Sequence, residues 1–204
     1  MPVFKIMDNL FLIKGSRYES NIYLVDDVLL IDTGLGFEVK NQKENLKNVK
    51  IVINTHIHFD HTGGNDFFKD KKDVKVLLHE KDAEMIKIFP EATYSHFFSF
   101  ERGKIPHYTG FINEGEKVKT ENYTFEVIHT PGHTPGSICL YEQKKKILIS
   151  GDTVFVNAFG RTDLIGGNEE KLKESLKKLE TLEINYLLPG HGDLIVAGEV
   201  KKID

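Results

Sequence analysis

The chain has 204 residues, 40% of them hydrophobic and 28% charged, so it is long and apolar enough to bury a core, and we expect one domain over residues 1–204. Its net charge is −4 and its lysines are dispersed, which argues against nucleic acid or an anionic membrane as a partner. The N-terminus lacks the apolar run of a signal peptide, no segment is long enough to span a membrane, and the lone Cys139 cannot form an internal disulfide, so we expect a cytoplasmic protein.

Short apolar runs separated by polar turns open the chain. We predict strands over residues 3–6, 10–13, 21–25 and 28–31, and a tight hairpin turn joins the last two. The fourth strand leads into Asp32-Thr33-Gly34, and a helix is predicted over residues 38–46. The next apolar run, at residues 51–54, indicates a short buried strand.

A histidine-rich motif follows this strand directly: Thr55-His56-Ile57-His58-Phe59-Asp60-His61-Thr62-Gly63-Gly64. Side chains two residues apart on an extended chain point the same way, so His56 and His58 can bind one ion. Asp60 and His61 come after the chain turns. Four ligands are more than one zinc site usually takes from one segment, and a second ion nearby would explain them.

In the middle of the chain, regular secondary structure is predicted up to residue 88. A short helix is predicted near residues 66–69, a strand over 74–78 and a helix over 80–88. Residues 90–108 match no regular element. The aromatic side chains of this segment are Tyr94, Phe97, Phe98, Phe100 and Tyr108. Long irregular segments are often functional, so the segment is either a lid or pocket wall over the metal site or a satellite core.

Two more polar loops follow predicted strands in the second half. A strand over residues 123–129 ends at Thr130-Pro131-Gly132-His133-Thr134-Pro135-Gly136, where proline and glycine enforce a tight loop around the histidine. Strands over residues 137–141 and 147–150 form a hairpin, which ends at Gly151-Asp152-Thr153. Polar side chains are therefore expected at the ends of two neighbouring strands.

The last part of the chain combines a helix with a strand. Asn168 can cap a helix that carries Leu172, Leu176 and Leu179 on one face. A strand over residues 186–188 then opens onto Pro189-Gly190-His191.

A weak internal repeat relates residues 21–33 to residues 137–153. Each segment is a strand, a turn and a second strand that runs into Asp-Thr. The repeat indicates two similar halves, each a sheet covered by helices, with ligands supplied by loops at their shared edge. Chance similarity between two hairpins is the alternative.

Together the motifs form the series His-x-His-x-Asp-His, then His, Asp and His, each at the end of a predicted strand. This series resembles the metallo-β-lactamase superfamily over nearly the whole chain. The resemblance implies the α/β class and a four-layer αββα sandwich, with two metal ions at the shared edge of its halves. It implies His56, His58 and His133 as ligands of the first ion, Asp60, His61 and His191 as ligands of the second, and Asp152 as the bridge between them.

Three aspartates are expected to be catalytic. Asp152 would bridge the ions, and Asp60 would orient the attacking hydroxide. Asp32 matches an early aspartate of the family that hydrogen-bonds a ligand histidine and fixes its tautomer, with a turn residue as the alternative. His79 and His129 match no ligand position, so we expect structural roles for both.

The chemistry implied by this ligand set is hydrolysis. Two divalent ions that share a water lower its pKa towards neutrality, and one of them polarises the substrate carbonyl. Histidine and carboxylate ligands suit zinc, iron or manganese, and we expect Zn²⁺. A purely structural zinc site is disfavoured because seven ligands spread over two ions leave positions for water.

Within the superfamily, the motifs look most like the short, YcbL-like glyoxalase II group. The resemblance rests on three motifs, namely the histidine-rich motif at residues 55–64, the loop at residues 130–136, and Gly151-Asp152-Thr153-Val154-Phe155 followed by Gly160-Arg161-Thr162-Asp163-Leu164. It implies hydrolysis of a small-molecule thioester such as S-lactoylglutathione. Longer glyoxalase II enzymes carry a helical C-terminal region that contacts glutathione, whereas 13 residues follow His191 here, which leaves recognition of glutathione open.

Two other activities of the fold are alternatives. A lactonase of the acyl-homoserine-lactone type shares the full ligand set and ranks second. Residues 160–163 also resemble the persulfide dioxygenase branch, which uses one iron, and this activity ranks third.

The substrate-binding candidates are Arg161, Phe98 and Tyr108. Arg161 either forms a buried ion pair with Asp163 or reaches a substrate carboxylate. A homodimer is left open.

Overall fold

The computed structural model describes residues 3–15, 18–98 and 100–202, which form fourteen strands and four α-helices. The strands are β1 Val3–Met7, β2 Leu10–Ile13, β3 Ile22–Val25, β4 Leu29–Ile31, β5 Ile51–Ile53, β6 Lys75–Leu78, β7 Gly110–Phe111, β8 Lys117–Lys119, β9 Thr124–His129, β10 Ile138–Glu142, β11 Ile147–Gly151, β12 Tyr186–Pro189, β13 Leu194–Val196 and β14 Glu199–Lys201. The α-helices are α1 Phe37–Asn41, α2 Phe59–Thr62, α3 Glu80–Ile88 and α4 Glu169–Leu179. Short 3₁₀-helices span Asn65–Phe68, Pro90–Thr93 and Ser95–Phe98. None of the described helices is both long and apolar enough to cross a lipid bilayer.

The strands form two seven-stranded sheets with matching topology. The first sheet has the order β1 to β7, and the second runs from β14 to β8. In each sheet a central antiparallel hairpin, β3 with β4 or β10 with β11, is followed by a parallel strand, β5 or β12. This correspondence confirms the two similar halves expected from the repeat.

The direction of the strands brings the polar loops together. β4 and β5 are parallel, so Asp32 and the histidine motif follow the same edge of the first sheet. In the second sheet β9 and β11 are both antiparallel to β10, and β12 is parallel to β11. The loops that carry His133, Asp152 and His191 therefore leave the carboxyl ends of strands at one edge of the second sheet.

The inner faces of both sheets share one apolar core. It includes Tyr23, Ile31 and Ile53 from the first sheet, and Phe125 and Leu140 from the second. These side chains are at most 1% exposed. Their removal from water is the main force that holds the sheets face to face.

Helical segments cover the outer face of each sheet. Val39 of α1 and Leu46 pack with Val52 on the first sheet. Leu179 of α4 packs with Leu148 on the second. The side chain of Asn168 caps α4 as predicted, by accepting a hydrogen bond from the Lys171 amide at 2.9 Å. The four-layer αββα arrangement expected from the sequence is thus confirmed.

Several element boundaries differ from the prediction. The first helix ends at Asn41 instead of residue 46, and turns carry the chain on to Leu46 and Val49, which are buried in the same cluster. β7, β8, β13 and β14 had not been predicted. They are short strands at or near sheet edges, and β14 is wholly exposed, so no pattern of buried side chains marks it in the sequence.

Two histidines outside the metal motif stack on each other where the halves meet. The rings of His79 and His129 lie 4.2 Å apart at an interplanar angle of 7°. His79 Nδ1 accepts a hydrogen bond from the Lys81 amide, and His129 Nε2 donates one to the Pro135 carbonyl. These contacts agree with the structural role predicted for both residues.

This stack should make stability fall with acid. Burial and the neighbouring His129 lower the pKa of His79 to about 4, whereas the unfolded chain has the ordinary value near 6.5. The unfolded state then takes up the proton first, so the free energy of unfolding should decrease as pH falls from about 6.5 to 4, by on the order of 2 kcal/mol. Urea unfolding of chelator-treated protein across this range measures it. His79→Asn, which keeps a capping side chain, should reduce the slope by the share that His79 contributes, while buried His56 and His58 keep theirs. An unchanged slope would contradict the prediction.

Candidate metal centre

The ligand loops leave rigid strands at adjoining edges of the two sheets. β5 ends at Ile53, the chain continues through His56 and His58, and α2 then carries Asp60 and His61. His56, His58 and His61 are 0 to 5% exposed, so their positions are set by packing on every side. The sequence motif is therefore presented by buried scaffold, as predicted.

Three histidines form the first cluster. His58 Nδ1 lies 3.1 Å from His56 Nε2 and 2.9 Å from His133 Nε2. Burial, with the other histidines of the site adding to it, lowers the pKa of His56 well below its ordinary value and that of His58 to about 3. Both imidazoles are thus neutral at pH 7, which is the form that binds a metal.

The second cluster combines a carboxylate with two histidines. His191 Nε2 lies 3.1 Å from both His61 Nε2 and Asp60 Oδ2, and His61 Nε2 lies 3.9 Å from the same carboxylate oxygen. Burial lowers the pKa of His61, but Asp152, Asp32 and Asp60 outweigh it and raise the pKa well above its usual value. This cluster therefore attracts positive charge strongly.

Asp152 lies between the two clusters. Its Oδ1 is 3.3 Å from His61 Nε2, and its Oδ2 is 3.7 Å from both His133 Nε2 and His191 Nε2. Its side chain is 12% exposed, and Oδ1 has no hydrogen-bond partner among the described residues. A largely buried carboxylate whose Oδ1 lacks a hydrogen-bond partner, among converging imidazole nitrogens, is favourable to a bound cation. The donor set consequently fits bound metal ions.

The seven predicted ligands thus meet in one place. Three overlapping sets of side chains have ligand atoms within 4.8 Å of one another: His56 with His58 and His133, His56 with His61 and Asp152, and Asp60 with His61 and His191. Histidine nitrogen and carboxylate oxygen suit zinc, iron and manganese alike. The cluster can therefore bind divalent metal, and its ligands do not select one of these metals.

Asp32 holds the second cluster from behind. It is 2% exposed and has a left-handed backbone with φ of 60°. Oδ1 accepts a hydrogen bond from the Thr55 amide, and Oδ2 accepts from Thr55 Oγ1 and His61 Nδ1, all at 2.8 Å. The bond holds a proton on Nδ1, so Nε2 is the His61 nitrogen that faces the cluster and can bind a metal, and Asp32 is placed for the orienting role predicted for it.

His133 is oriented by a main-chain group. Its Nδ1 donates to the Arg161 carbonyl at 2.8 Å, and its Nε2 turns towards His58. The Arg161 side chain forms a two-pronged ion pair with Asp163, at 2.8 and 2.7 Å. The prediction that this pair is buried was wrong: the side chains are 61% and 67% exposed, because both belong to a surface loop.

Arg161→Ala should therefore separate binding from stability. An exposed ion pair adds little to stability, and the carbonyl that orients His133 remains, so the melting temperature should change by less than about 2 °C. If the guanidinium binds a substrate carboxylate, KM should rise several-fold with little change in kcat. Steady-state kinetics and thermal melts measure both effects, with Asp163→Asn as the control that keeps the cation. A large loss of stability with unchanged KM would show a structural role instead.

The segment after α3, predicted to be irregular, contains two 3₁₀-helices and brings an aromatic ring beside the first cluster. The Tyr94 ring lies 5.5 Å from the His58 ring, and Phe97 stacks on Tyr94 at 5.6 Å. Tyr94 Oη accepts a hydrogen bond from the Ile165 amide at 2.8 Å, which ties this segment to the loop after Asp152. Tyr94 thus lies beside the first cluster, and a lid or pocket wall formed by this segment stays a prediction.

The aromatic candidates named from sequence lie elsewhere in the segment. Phe98 is half-buried at the end of a 3₁₀-helix that packs against α2. Tyr108 is half-buried against the apolar clusters around α3 and the outer face of the first sheet, with its ring 6.0 Å from Phe111. These contacts give Tyr108 a packing role, and sequence reasoning missed Tyr94 as the residue beside the ligands.

A cavity of about 320 Å³ opens beside the second cluster. It is lined by residues 155–158 and by His191, Gly192 and Asp193. Among the predicted ligands, His191 therefore borders a cavity large enough for a small molecule.

Comparison with known proteins places the fold and the site in one family. Residues 15–191 match the family described as the metallo-beta-lactamase superfamily. An uncharacterized protein of Aquifex aeolicus is 35% identical over 85% of this chain and 82% of its own length. Hydroxyacylglutathione hydrolase GloC of Haemophilus influenzae is 30% identical over 95% of each chain.

Solved structures agree with this assignment. The BLEG-1 B3 metallo-beta-lactamase superposes with a TM-score of 0.76 at 29% identity, over 92% of this chain and 93% of that one. TTHA1623, solved in a di-iron-bound form, superposes with a TM-score of 0.75 at 28% identity, over 92% of this chain and 95% of that one. The chain therefore belongs to the metallo-beta-lactamase superfamily, as a hydrolase with a histidine and aspartate metal-binding cluster.

Proposed function

We propose that this chain is a dinuclear metal-dependent hydrolase of the glyoxalase II type, which cleaves a small-molecule thioester such as S-lactoylglutathione. The observation that carries the proposal is the position of Asp152, whose two carboxylate oxygens approach histidines of both clusters. A carboxylate in this position can bind two cations at once, which favours two ions over one.

The side chains around the clusters are suited to direct such a hydrolysis. Bound divalent ions would supply a water of lowered pKa and polarise the thioester carbonyl. Burial alone would raise the pKa of Asp60, but His61 and His191 outweigh it and lower the pKa below its ordinary value. The ionised Asp60 carboxylate can then accept a hydrogen bond from the attacking water and orient it towards the substrate.

The far wall of the site would contact the acyl group. Tyr94 Oη accepts its hydrogen bond from a main-chain amide, which leaves the hydroxyl hydrogen for an acceptor on the substrate. Phe97, stacked on Tyr94 and 69% exposed, offers an apolar surface to the same group. Binding there would position the carbonyl without help from a charged side chain.

Two comparisons support the thioester and the pair of metals. The relative GloC is named for hydrolysis of hydroxyacylglutathione, which is a thioester, and it matches this chain over 95% of both lengths. TTHA1623 was solved with two irons. We propose Zn²⁺ as the metal, with iron and manganese as alternatives that the same ligands accept.

Metal content and turnover, measured on one preparation, test the proposal. Protein purified without added metal is analysed for elements and assayed with S-lactoylglutathione, an acyl-homoserine lactone, a β-lactam and glutathione persulfide, with chelator-treated protein as the control. About two metals per chain with thioester turnover would support it. Turnover of the lactone or the β-lactam alone would change the substrate class, and one iron with oxygen uptake would overturn the hydrolase.

A further inference from the structure

A buried aspartate outside the ligand set connects the two loops of the first cluster. Asp82 lies in the first turn of α3 and is 0% exposed. Its Oδ2 accepts hydrogen bonds from the Ile57 amide at 3.0 Å and from Thr134 Oγ1 at 2.9 Å, and its Oδ1 accepts from the Gly136 amide at 2.6 Å. All three donors belong to ligand loops.

The placement of these donors relates Asp82 to the histidines. Ile57 lies between His56 and His58 in the loop after β5, and Thr134 directly follows His133 in the loop after β9. β5 and β9 belong to different sheets. One carboxylate thus sets the distance between the two loops that supply all three histidines of the first cluster.

Gly136 lies so close to Asp82 that a larger residue would not fit at its position. A Cβ added at Gly136 would lie 2.6 Å from Asp82 Cγ and 2.6 Å from the Asp82 amide nitrogen, so glycine is required for the contact. Burial raises the pKa of Asp82 to about 7 although all three hydrogen bonds lower it. A polar group held at such a cost needs donors in fixed positions, and these are supplied by the ligand loops.

We propose that Asp82 is the positioning residue of the three-histidine half of the metal centre, as Asp32 is of the other half. The proposal rests on the metal centre assigned under the proposed function. Without the carboxylate, the two loops lose their common acceptor, and His133 can move relative to His56 and His58. Metal affinity of the first cluster should then fall, while the second cluster keeps Asp32.

Metal titration tests this without reference to any substrate. Asp82→Asn keeps the shape of the side chain but replaces one acceptor by a donor. Thr134→Val removes the hydrogen bond from Thr134 Oγ1 to Asp82, together with the contact of Thr134 Oγ1 with Ser137 Oγ at 2.8 Å, while it leaves the carboxylate in place. Chelator-treated protein is titrated with Co²⁺ and Zn²⁺ against a competing chelator, and the Co²⁺ absorption spectrum reports the ligands. Glu84→Gln, on the exposed side of the same helix, is the matched control.

In Asp82→Asn we expect one of two metal equivalents to bind 10 to 100 times more weakly, the other within about twofold, and the Co²⁺ spectrum of the weakened site to change. Thr134→Val should show the same pattern to a smaller degree, with a metal-free melting temperature lowered by only a few degrees, because it loses two buried hydrogen bonds and no charge. Wild-type affinity for both equivalents in both variants would overturn the inference. If wild type binds two metals but hydrolyses no thioester, the proposed function fails and the role of Asp82 stands.

Discussion

Asp60→Ala should abolish hydrolysis and leave the protein folded. The Asp60 side chain is 19% exposed, and its Oδ2 lies 3.1 Å from His191 Nε2. It belongs to the second cluster together with His61. Removing it takes away one ligand and the group that would orient the water, so kcat/KM should fall by about 10³-fold or more. Occupancy of the second metal should fall with it.

Elemental analysis, steady-state kinetics and circular dichroism measure these effects together. Asp70→Asn, at an exposed position outside the cluster, is the control for loss of one carboxylate. Full turnover in Asp60→Ala would refute the dinuclear mechanism. His61→Ala should inactivate the protein as well, but it is a less clean test, because it also deprives buried Asp32 of a hydrogen bond.

Asp32→Ala should cost both stability and activity. The substitution leaves the buried Thr55 amide, the Thr55 hydroxyl and His61 Nδ1 without their acceptor. Three lost hydrogen bonds to a buried charge should lower the free energy of unfolding by about 3–5 kcal/mol. A left-handed backbone at this position adds strain for alanine. Metal affinity of the second cluster should fall 10- to 100-fold.

Asp32→Asn separates the two effects. Asparagine tolerates the left-handed backbone and keeps one acceptor oxygen, so it should retain more stability than alanine but still disturb the hydrogen bond to His61. Urea unfolding of metal-free protein and metal titration compare the variants. Stability and affinity equal to wild type in Asp32→Ala would contradict the orienting role assigned to this residue.

The side chains that meet in the cluster could be predicted from sequence, because histidine and aspartate rarely fall so close together, because they follow recognisable strands, and because the whole series resembles a known family. His56, His58, Asp60 and His61 come from one motif, and each remaining ligand follows a buried apolar run. A ligand contributes a specific side chain, so the sequence states its identity directly. The central strands were predictable for a similar reason, since a side chain buried on each face leaves an apolar run.

The groups that orient the predicted ligands were harder to predict from the sequence. His133 is oriented by the Arg161 carbonyl, and any residue at that position offers the same carbonyl. Asp82 accepts hydrogen bonds from residues that lie 25, 52 and 54 positions away in the sequence, two of them through main-chain amides. No local sequence pattern therefore indicates its role. The exposure of the ion pair of Arg161 depends on where its loop runs, which two opposite charges in the sequence do not specify.

The ligand loops all leave carboxyl ends of strands, so the hairpin turns at residues 26–27 and 143–146 fall at the opposite edge of the sheets. The predicted ligands therefore lie at one edge of the sheets and these two hairpin turns at the other. Tyr94 and Phe97 belong to a connection that passes beside the predicted ligands, and none of its described residues joins their clusters. Such a connection can lengthen, shorten or change its side chains during evolution while the hydrolytic centre stays intact, which gives one scaffold a route to new substrates.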